Sequence, residues 1–188
     1  MEYLNALVVA VVLAAFVMTF VARSFLVQGP SMEPTLHDGE RLLVNKFVYR
    51  FSSPKRGNIV VFRYPYNPSR MFIKRVIGLP GEVVQVAGGI VYVNGQSLEE
   101  PYIYERPYRE FGPAVVPEGR VFVLGDNRNM SQDSTDETVG MVPLGNIEGK
   151  AFFVYWPPSR IRVCGDPVYH VDEAEVPESG LAAVPGVP

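Results

Sequence analysis

Met71-Phe-Ile-Lys-Arg-Val-Ile-Gly78 opens on a methionine, continues with β-branched, aromatic and basic side chains and ends on a glycine. Extended, it sends alternate side chains to opposite faces, so Phe72, Lys74 and Val76 share one face and Ile73, Arg75 and Ile77 the other. Working outward, similar short runs rich in Val, Ile, Phe and Tyr recur at residues 41–47, 58–64, 82–86, 90–93, 120–124 and 149–156, each bounded by turn residues. Val91-Tyr-Val-Asn94-Gly95-Gln-Ser-Leu98 carries the Asn-Gly signal of a two-residue hairpin. No helical period of useful length appears beyond the N-terminus. The pattern predicts a mostly antiparallel β domain over residues 25–165. Residues 99–117, where Pro, Tyr and Arg interleave, read as a long excursion or small subdomain. Residues 171–188 are rich in Glu, Ala, Pro and Gly and lack aromatics, so disorder is expected there.

Composition narrows the function classes. A chain of 188 residues with net charge −3 and scattered Lys and Arg gives no basic footprint for nucleic acid. Cys164 is alone, which excludes an intrachain disulfide and fits a buried, inert thiol. Residues 3–22 carry no charge, with Asn5 and Thr19 the strongly polar exceptions. A helix of that length spans about 30 Å, the hydrocarbon thickness of a bilayer. Glu2 stands where a secretory signal has a basic start, and Phe20-Val21-Ala22 is not a small-residue exit. The segment therefore reads as a retained transmembrane anchor rather than a cleaved signal or a core helix. Arg23 just after it weakly argues, by the positive-inside rule, for a cytoplasmic domain.

Shortly beyond that segment stands Gln28-Gly-Pro-Ser-Met-Glu-Pro-Thr-Leu36. Gly29-Pro30 and Pro34 confine Ser31 to a tight non-helical turn, with Met32 and Leu36 expected to be exposed beside it. That setting suits a nucleophile beside an apolar groove. A serine hydroxyl needs a base at neutral pH. The two histidines are poor candidates: His37 lies in the following turn and His170 borders the tail. Of four lysines, Lys74 alone is embedded in an apolar strand, where burial lowers an ammonium pKa as a lysine base requires. Arg75 stays protonated and cannot serve. An exposed edge-strand lysine is the competing reading of Lys74.

A third segment, Gly125-Asp-Asn-Arg-Asn-Met-Ser-Gln-Asp-Ser134, follows the apolar run 120–124. Its acids, with Asp136, could suggest calcium, but the EF-hand register and distal Glu are missing. A polar network that holds a catalytic strand is the better use.

These segments in this order resemble the bacterial type I signal peptidases, membrane-anchored Ser-Lys endopeptidases. The matching blocks are Gly29-Pro-Ser-Met-Glu-Pro-Thr-Leu36, Arg56-Gly-Asn-Ile-Val-Val-Phe62, Ile73-Lys-Arg-Val-Ile-Gly-Leu-Pro-Gly-Glu82, and Gly125-Asp-Asn-Arg128 with Ser131, Asp133 and Ser134. The resemblance implies an antiparallel, coiled β-sheet catalytic domain behind one N-terminal transmembrane helix. It assigns Ser31 as nucleophile, with its backbone N–H as oxyanion donor, and Lys74 as general base. Ser131 would hydrogen-bond and orient the lysine, and Asp126, Asn127, Arg128 and Asp133 would form the supporting network. Val27, Met32, Leu36, Phe72 and Ile73 would wall a substrate groove selecting small residues at −1 and −3 of the cut.

Three departures stand out. Gly29 occupies the place of a second, serine-borne oxyanion donor. Thr135 follows Ser134 where the family has arginine, leaving Arg128 as the replacement partner expected for Asp133. Asn58 replaces an acid, in an expected structural role. The implied partners are preprotein signal peptides and the lipid bilayer, with no nucleic acid, metal or organic cofactor. The implied location is the cytoplasmic membrane, single-pass, with the catalytic domain on the extracytoplasmic side, against the signal from Arg23. Residues 24–30 reach only about 23–25 Å extended, which keeps Ser31 near the bilayer surface. The alternatives are a self-cleaving Ser-Lys peptidase of the repressor type, disfavoured by the anchor, and a non-catalytic membrane-tethered β module for binding or assembly.

Overall fold

The computed structural model describes residues 2–16, 22–167 and 169. Helix α1 runs Glu2–Phe16, about 22 Å at the usual rise. Among the described residues no helix is long and apolar enough to cross a membrane. The helix expected to continue to residue 22 does not reach it. Ala22 already opens strand β1 (Ala22–Leu26), because its backbone is taken up by antiparallel pairing with Asn45. Residues 17–21 lie outside the described residues, as does the expected disordered tail at 171–188.

The remaining elements are β2 (Arg41–Asn45), the single turn α2 (Val48–Phe51), β3 (Ile59–Arg63), β4 (Met71–Gly78), β5 (Val83–Ala87), β6 (Ile90–Val93), β7 (Gln96–Ser97), β8 (Phe111–Val115), β9 (Arg120–Leu124), β10 (Val142–Pro143), β11 (Ile147–Trp156) and β12 (Arg162–Val163). Every strand pairing is antiparallel. The larger sheet has the order β1-β2-β11-β3-β4-β9-β10, with β12 added to β11, and the smaller one β7-β6-β5-β8. The chain is therefore mostly antiparallel β.

Period-2 alternation explains how the larger sheet is covered on both faces. On β3, Ile59 and Val61 join a core with Val27, Met32, Leu36, Leu42 and Val154. Val60 and Phe62 point the other way, into a core with Val76, Val121, Val123 and Val142. A third cluster, including Ile77, Val84, Val91, Phe122 and Leu124, joins the two sheets. Asn94 and Gly95 take φ of +53° and +80° between paired Val93 and Gln96, the geometry of the expected hairpin turn.

Residues 99–117 are not wholly an excursion, since Phe111–Val115 pairs with β5 at the edge of the smaller sheet. Gly112-Pro113 hides that strand from a propensity reading. A residue without an N–H is tolerated in a ladder at an edge or a bulge, and Pro113 has both, since the β5–β8 register shifts between Val84 and Val86.

Candidate active site

The turn bearing Ser31 hangs between β1 and β2. The Val27 N–H donates to Glu40 O (2.8 Å) and the Gly39 N–H to Val27 O (3.0 Å), closing the base of the loop. Gly29 sits at φ +83°, which favours glycine, and its N–H donates to Asp38 Oδ1 at 2.7 Å. Met32 and Leu36 are 1% and 0% exposed. The expectation of an exposed turn is corrected: these two side chains are the hydrophobic anchors that plug the loop into the core. Leu36 accordingly does not line the groove, whereas Val27, Met32, Phe72 and Ile73 do.

Strand β4 carries the second group. Lys74 Nζ donates to Ser31 Oγ at 2.8 Å and to Ile73 O at 2.9 Å. It lies 5.3 Å from the centre of the Phe72 ring, which stacks on Tyr64 at 4.5 Å. Lys74 is 4% exposed, so the edge-strand reading does not apply. Burial lowers its pKa from 10.5 to about 8, against the opposing pull of Asp133 and Asp126. Once the amine is neutral, the same contact lets the Ser31 O–H donate to nitrogen. His37 instead faces Glu33, with Nδ1 3.7 Å from its carboxylate.

The segment after β9 supplies the frame. Asn127 N–H donates to Ser31 O at 3.1 Å, tying the frame to the serine turn. A Cβ on Gly125 would lie 2.5 Å from that same Ser31 oxygen and would collide with the Ser131 hydroxyl, so only glycine lets the two segments approach. Asp133 accepts from the Gly125 N–H (3.0 Å) and from the Thr135 N–H and hydroxyl (3.2 and 2.8 Å). Thr135 thus supplies the partner that an arginine was expected to provide. Arg128 is not the substitute. Its guanidinium forks onto Glu100 at 2.6 and 2.5 Å, and its Nε donates to Gly125 O at 3.0 Å. Glu100 lies in the excursion, far away in sequence, which is why sequence reasoning missed it.

Ser131 also departs from expectation. Lys74 Nζ is bonded to Ser31 and Ile73, and the buried Ser131 Oγ has no hydrogen-bond partner among the described residues. The buried Asn127 Oδ1 is unpartnered in the same sense. Asn58 does act structurally, accepting from the Tyr49 hydroxyl (3.1 Å) and the Lys55 N–H (2.9 Å).

Two further ion pairs at the site were not read from the sequence. Arg75, 1% exposed, forks onto Asp126 with contacts of 2.8 and 2.6 Å, donates to Gly57 O (2.9 Å) and lies 4.1 Å above the Tyr102 ring. The signal available was a second cation beside Lys74 in an otherwise apolar strand. Arg162 pairs with the fully buried Glu40 at 2.8 and 2.7 Å and donates to Thr35 O at 2.6 Å, pinning the far end of the serine turn. Burial works against ionised Glu40, but Arg162 and the His37 N–H outweigh it and hold the carboxyl below its ordinary range.

Ser31 and Lys74 open into a groove of about 590 Å³ whose walls include Phe25, Val27, Met32, Met71, Phe72 and Ile73. A serine hydroxyl against a desolvated amine, at the side of an open groove, has the make-up of a Ser-Lys peptidase site. The chain belongs to the signal peptidase family, peptidase S26, whose sequence model matches residues 1–156. Signal peptidase I of Leptolyngbya laminosa is 47% identical over 174 residues, covering 89% of this chain and 85% of that protein. The probable signal peptidase I-2 of Synechocystis is 44% identical, covering 88% and 78%, and signal peptidase I of Bacillus licheniformis 40%, covering 86% and 91%. A crystal structure of a signal peptidase I from Enterococcus faecalis V583 is 36% identical, covering 53% of this chain and 97% of that one, with a TM-score of 0.47. The protein is thus a hydrolase of the serine peptidase type.

Proposed function

We propose that this chain is a membrane-anchored serine endopeptidase that removes N-terminal signal peptides from exported preproteins, with Ser31 as nucleophile and Lys74 as general base. The observation that carries the residue assignment is the 2.8 Å contact between Lys74 Nζ and Ser31 Oγ, with Lys74 itself almost wholly buried. Neutral Lys74 takes the Ser31 proton as Oγ attacks the carbonyl carbon of the −1 residue. The resulting ammonium gives that proton to the leaving amine, freeing the mature N-terminus. Water, deprotonated by the same lysine, then releases the acyl group. The Ser31 backbone N–H is the oxyanion donor that the family resemblance assigns. Gly29 brings no hydroxyl, and its own N–H is engaged by Asp38.

Val27, Met32, Phe72 and Ile73 form the wall that favours small residues at −1 and −3. Asp126, Asn127, Arg128 and Asp133 hold the frame behind Ser31, and the unpartnered Ser131 hydroxyl is the group available to orient Lys74. The uncharged stretch that precedes Ala22 anchors the chain, single-pass, in the cytoplasmic membrane, with the β domain on the extracytoplasmic side. Leu26 and Met130, both exposed at the groove, meet the lipid interface where a tethered precursor emerges. Sharing one membrane raises the local concentration of enzyme and substrate without extra contacts.

The test is cleavage of a preprotein with Ala at −3 and −1, in lipid, by wild type, Ser31→Ala and Lys74→Ala. Wild-type cutting that survives a chelator and is lost in both variants supports the assignment. Cutting by Lys74→Ala would place the base elsewhere.

A further inference from the structure

The frame that holds Ser31 is braced from behind by a chain of side chains that ends beyond residues 1–156, the part the family model matches. From the Ser31 carbonyl it passes through the Asn127 N–H (3.1 Å) to Arg128, which is bonded to Gly125 O (3.0 Å) and forked onto Glu100. Glu100 Oε1 accepts from the Tyr102 hydroxyl at 2.7 Å, and the Tyr102 oxygen accepts from the Tyr169 hydroxyl at 2.9 Å. The Tyr102 and Tyr169 rings meet edge to face, with centroids 6.3 Å apart. The other side of this assembly is Arg75, whose guanidinium rests on Tyr102 and binds Asp126 and Gly57 O.

The C-terminal residues are fastened at two more points. Asp166 pairs with Lys150 of β11. A Cβ on Gly57 would stand 3.1 Å from Pro167 Cδ and 2.8 Å from Tyr169 Cε2, so these two residues close directly over the backbone that receives Arg75. None of Asp166, Pro167 and Tyr169 lines the substrate groove.

We propose that Tyr169 is a positioning residue for the peptidase reaction. Held by Asp166 and Pro167, it completes the hydrogen-bond chain Tyr169–Tyr102–Glu100–Arg128 and keeps water from the Arg75–Asp126 pair. It thereby fixes the Gly125–Arg128 turn against the Ser31 carbonyl and keeps Ser31 Oγ in reach of Lys74. The inference rests on the Ser31–Lys74 reading of the site. Because Tyr169 lies off the groove, its loss acts on alignment at the reacting atoms and leaves substrate binding alone. Misalignment of that kind lowers rate by about 10- to 10²-fold.

The experiment uses the full chain in lipid and compares wild type, Tyr169→Ala, Tyr169→Phe and Ser31→Ala on one preprotein. The expected result is a roughly tenfold or larger fall in kcat for Tyr169→Ala with KM unchanged. Tyr169→Phe, which keeps the ring over Gly57 but cannot donate to Tyr102, should fall between wild type and Tyr169→Ala. Wild-type kcat in Tyr169→Ala, with Ser31→Ala inactive, overturns the positioning role and leaves the site reading intact. A fall in kcat matched by a rise in KM, or one that disappears when the assay is cooled below the unfolding transition, makes Tyr169 merely structural and also overturns it. Cutting by Ser31→Ala instead removes the site reading itself.

Discussion

Lys74 and Arg75 are neighbours on one strand, almost equally buried, yet their two faces treat a cation in opposite ways. Arg75 meets a bidentate carboxylate, a carbonyl and an aromatic face, and the compensated charge is held more firmly than in water. Lys74 meets a hydroxyl, a carbonyl and the Phe72 ring, with no carboxylate in contact among the described residues, and its pKa falls to about 8. Burial alone therefore does not make a base. Burial without a counter-ion does, and a strand delivers both environments one residue apart because its side chains alternate.

The largest effects should come from breaking the reactive side. Ser31→Ala is expected to lower kcat on the order of 10⁴- to 10⁶-fold, and Lys74→Ala about 10²- to 10⁴-fold, in single-turnover cleavage assays. Lys74→Met should at the same time raise stability at neutral pH. Its sign follows from linkage: between about pH 8 and 10.5 the unfolded chain binds more protons at Lys74 than the folded one, so stability rises with pH there and the penalty is complete below pH 8. Denaturant melts at pH 7 and pH 10 should show that slope in wild type and not in Lys74→Met.

Breaking the compensated side should cost stability first. Asp126→Ala leaves Arg75 buried and unpaired, for which about 3–5 kcal/mol of destabilisation is expected in urea melts. The activity of wild type should rise with pH through about 8 as Lys74 loses its proton. Asp133 pulls that pKa upward, so Asp133→Asn should move the midpoint of the kcat/KM profile to lower pH. A midpoint that stays put or rises would mean that the Asp133 charge does not reach Lys74. The smallest effect belongs to Cys164, whose thiol is buried and pushed up in pKa by that burial. Brief treatment of the native protein with iodoacetamide should leave activity unchanged.

Seven of the twelve strands among the described residues, the hairpin at Asn94-Gly95 and the pairing of Ser31 with Lys74 were legible because each leaves a local mark: period-2 apolarity, a turn dipeptide, a lone lysine in an apolar run. Strand β8 was not, since Gly112-Pro113 contradicts strand propensity and is tolerated at a bulged edge that the sequence does not reveal. The burial of Met32 and Leu36 was misread for a related reason. A proline-rich turn looks exposed, and only its neighbours decide whether a core lies beneath it.

The sequence by itself determined a β-rich chain with an apolar N-terminal stretch, a serine in a proline-constrained turn and a lysine set in an apolar strand. These depend on residues close together in the chain. The tertiary structure decided who compensates whom: Glu100 for Arg128, Asp126 for Arg75, Arg162 for Glu40, Thr135 for Asp133. Three of those four pairs join residues at least 28 positions apart. Ion-pair choice of that kind is set by which strands the fold brings together and by how little water reaches them. Neither quantity is written in any local stretch of sequence.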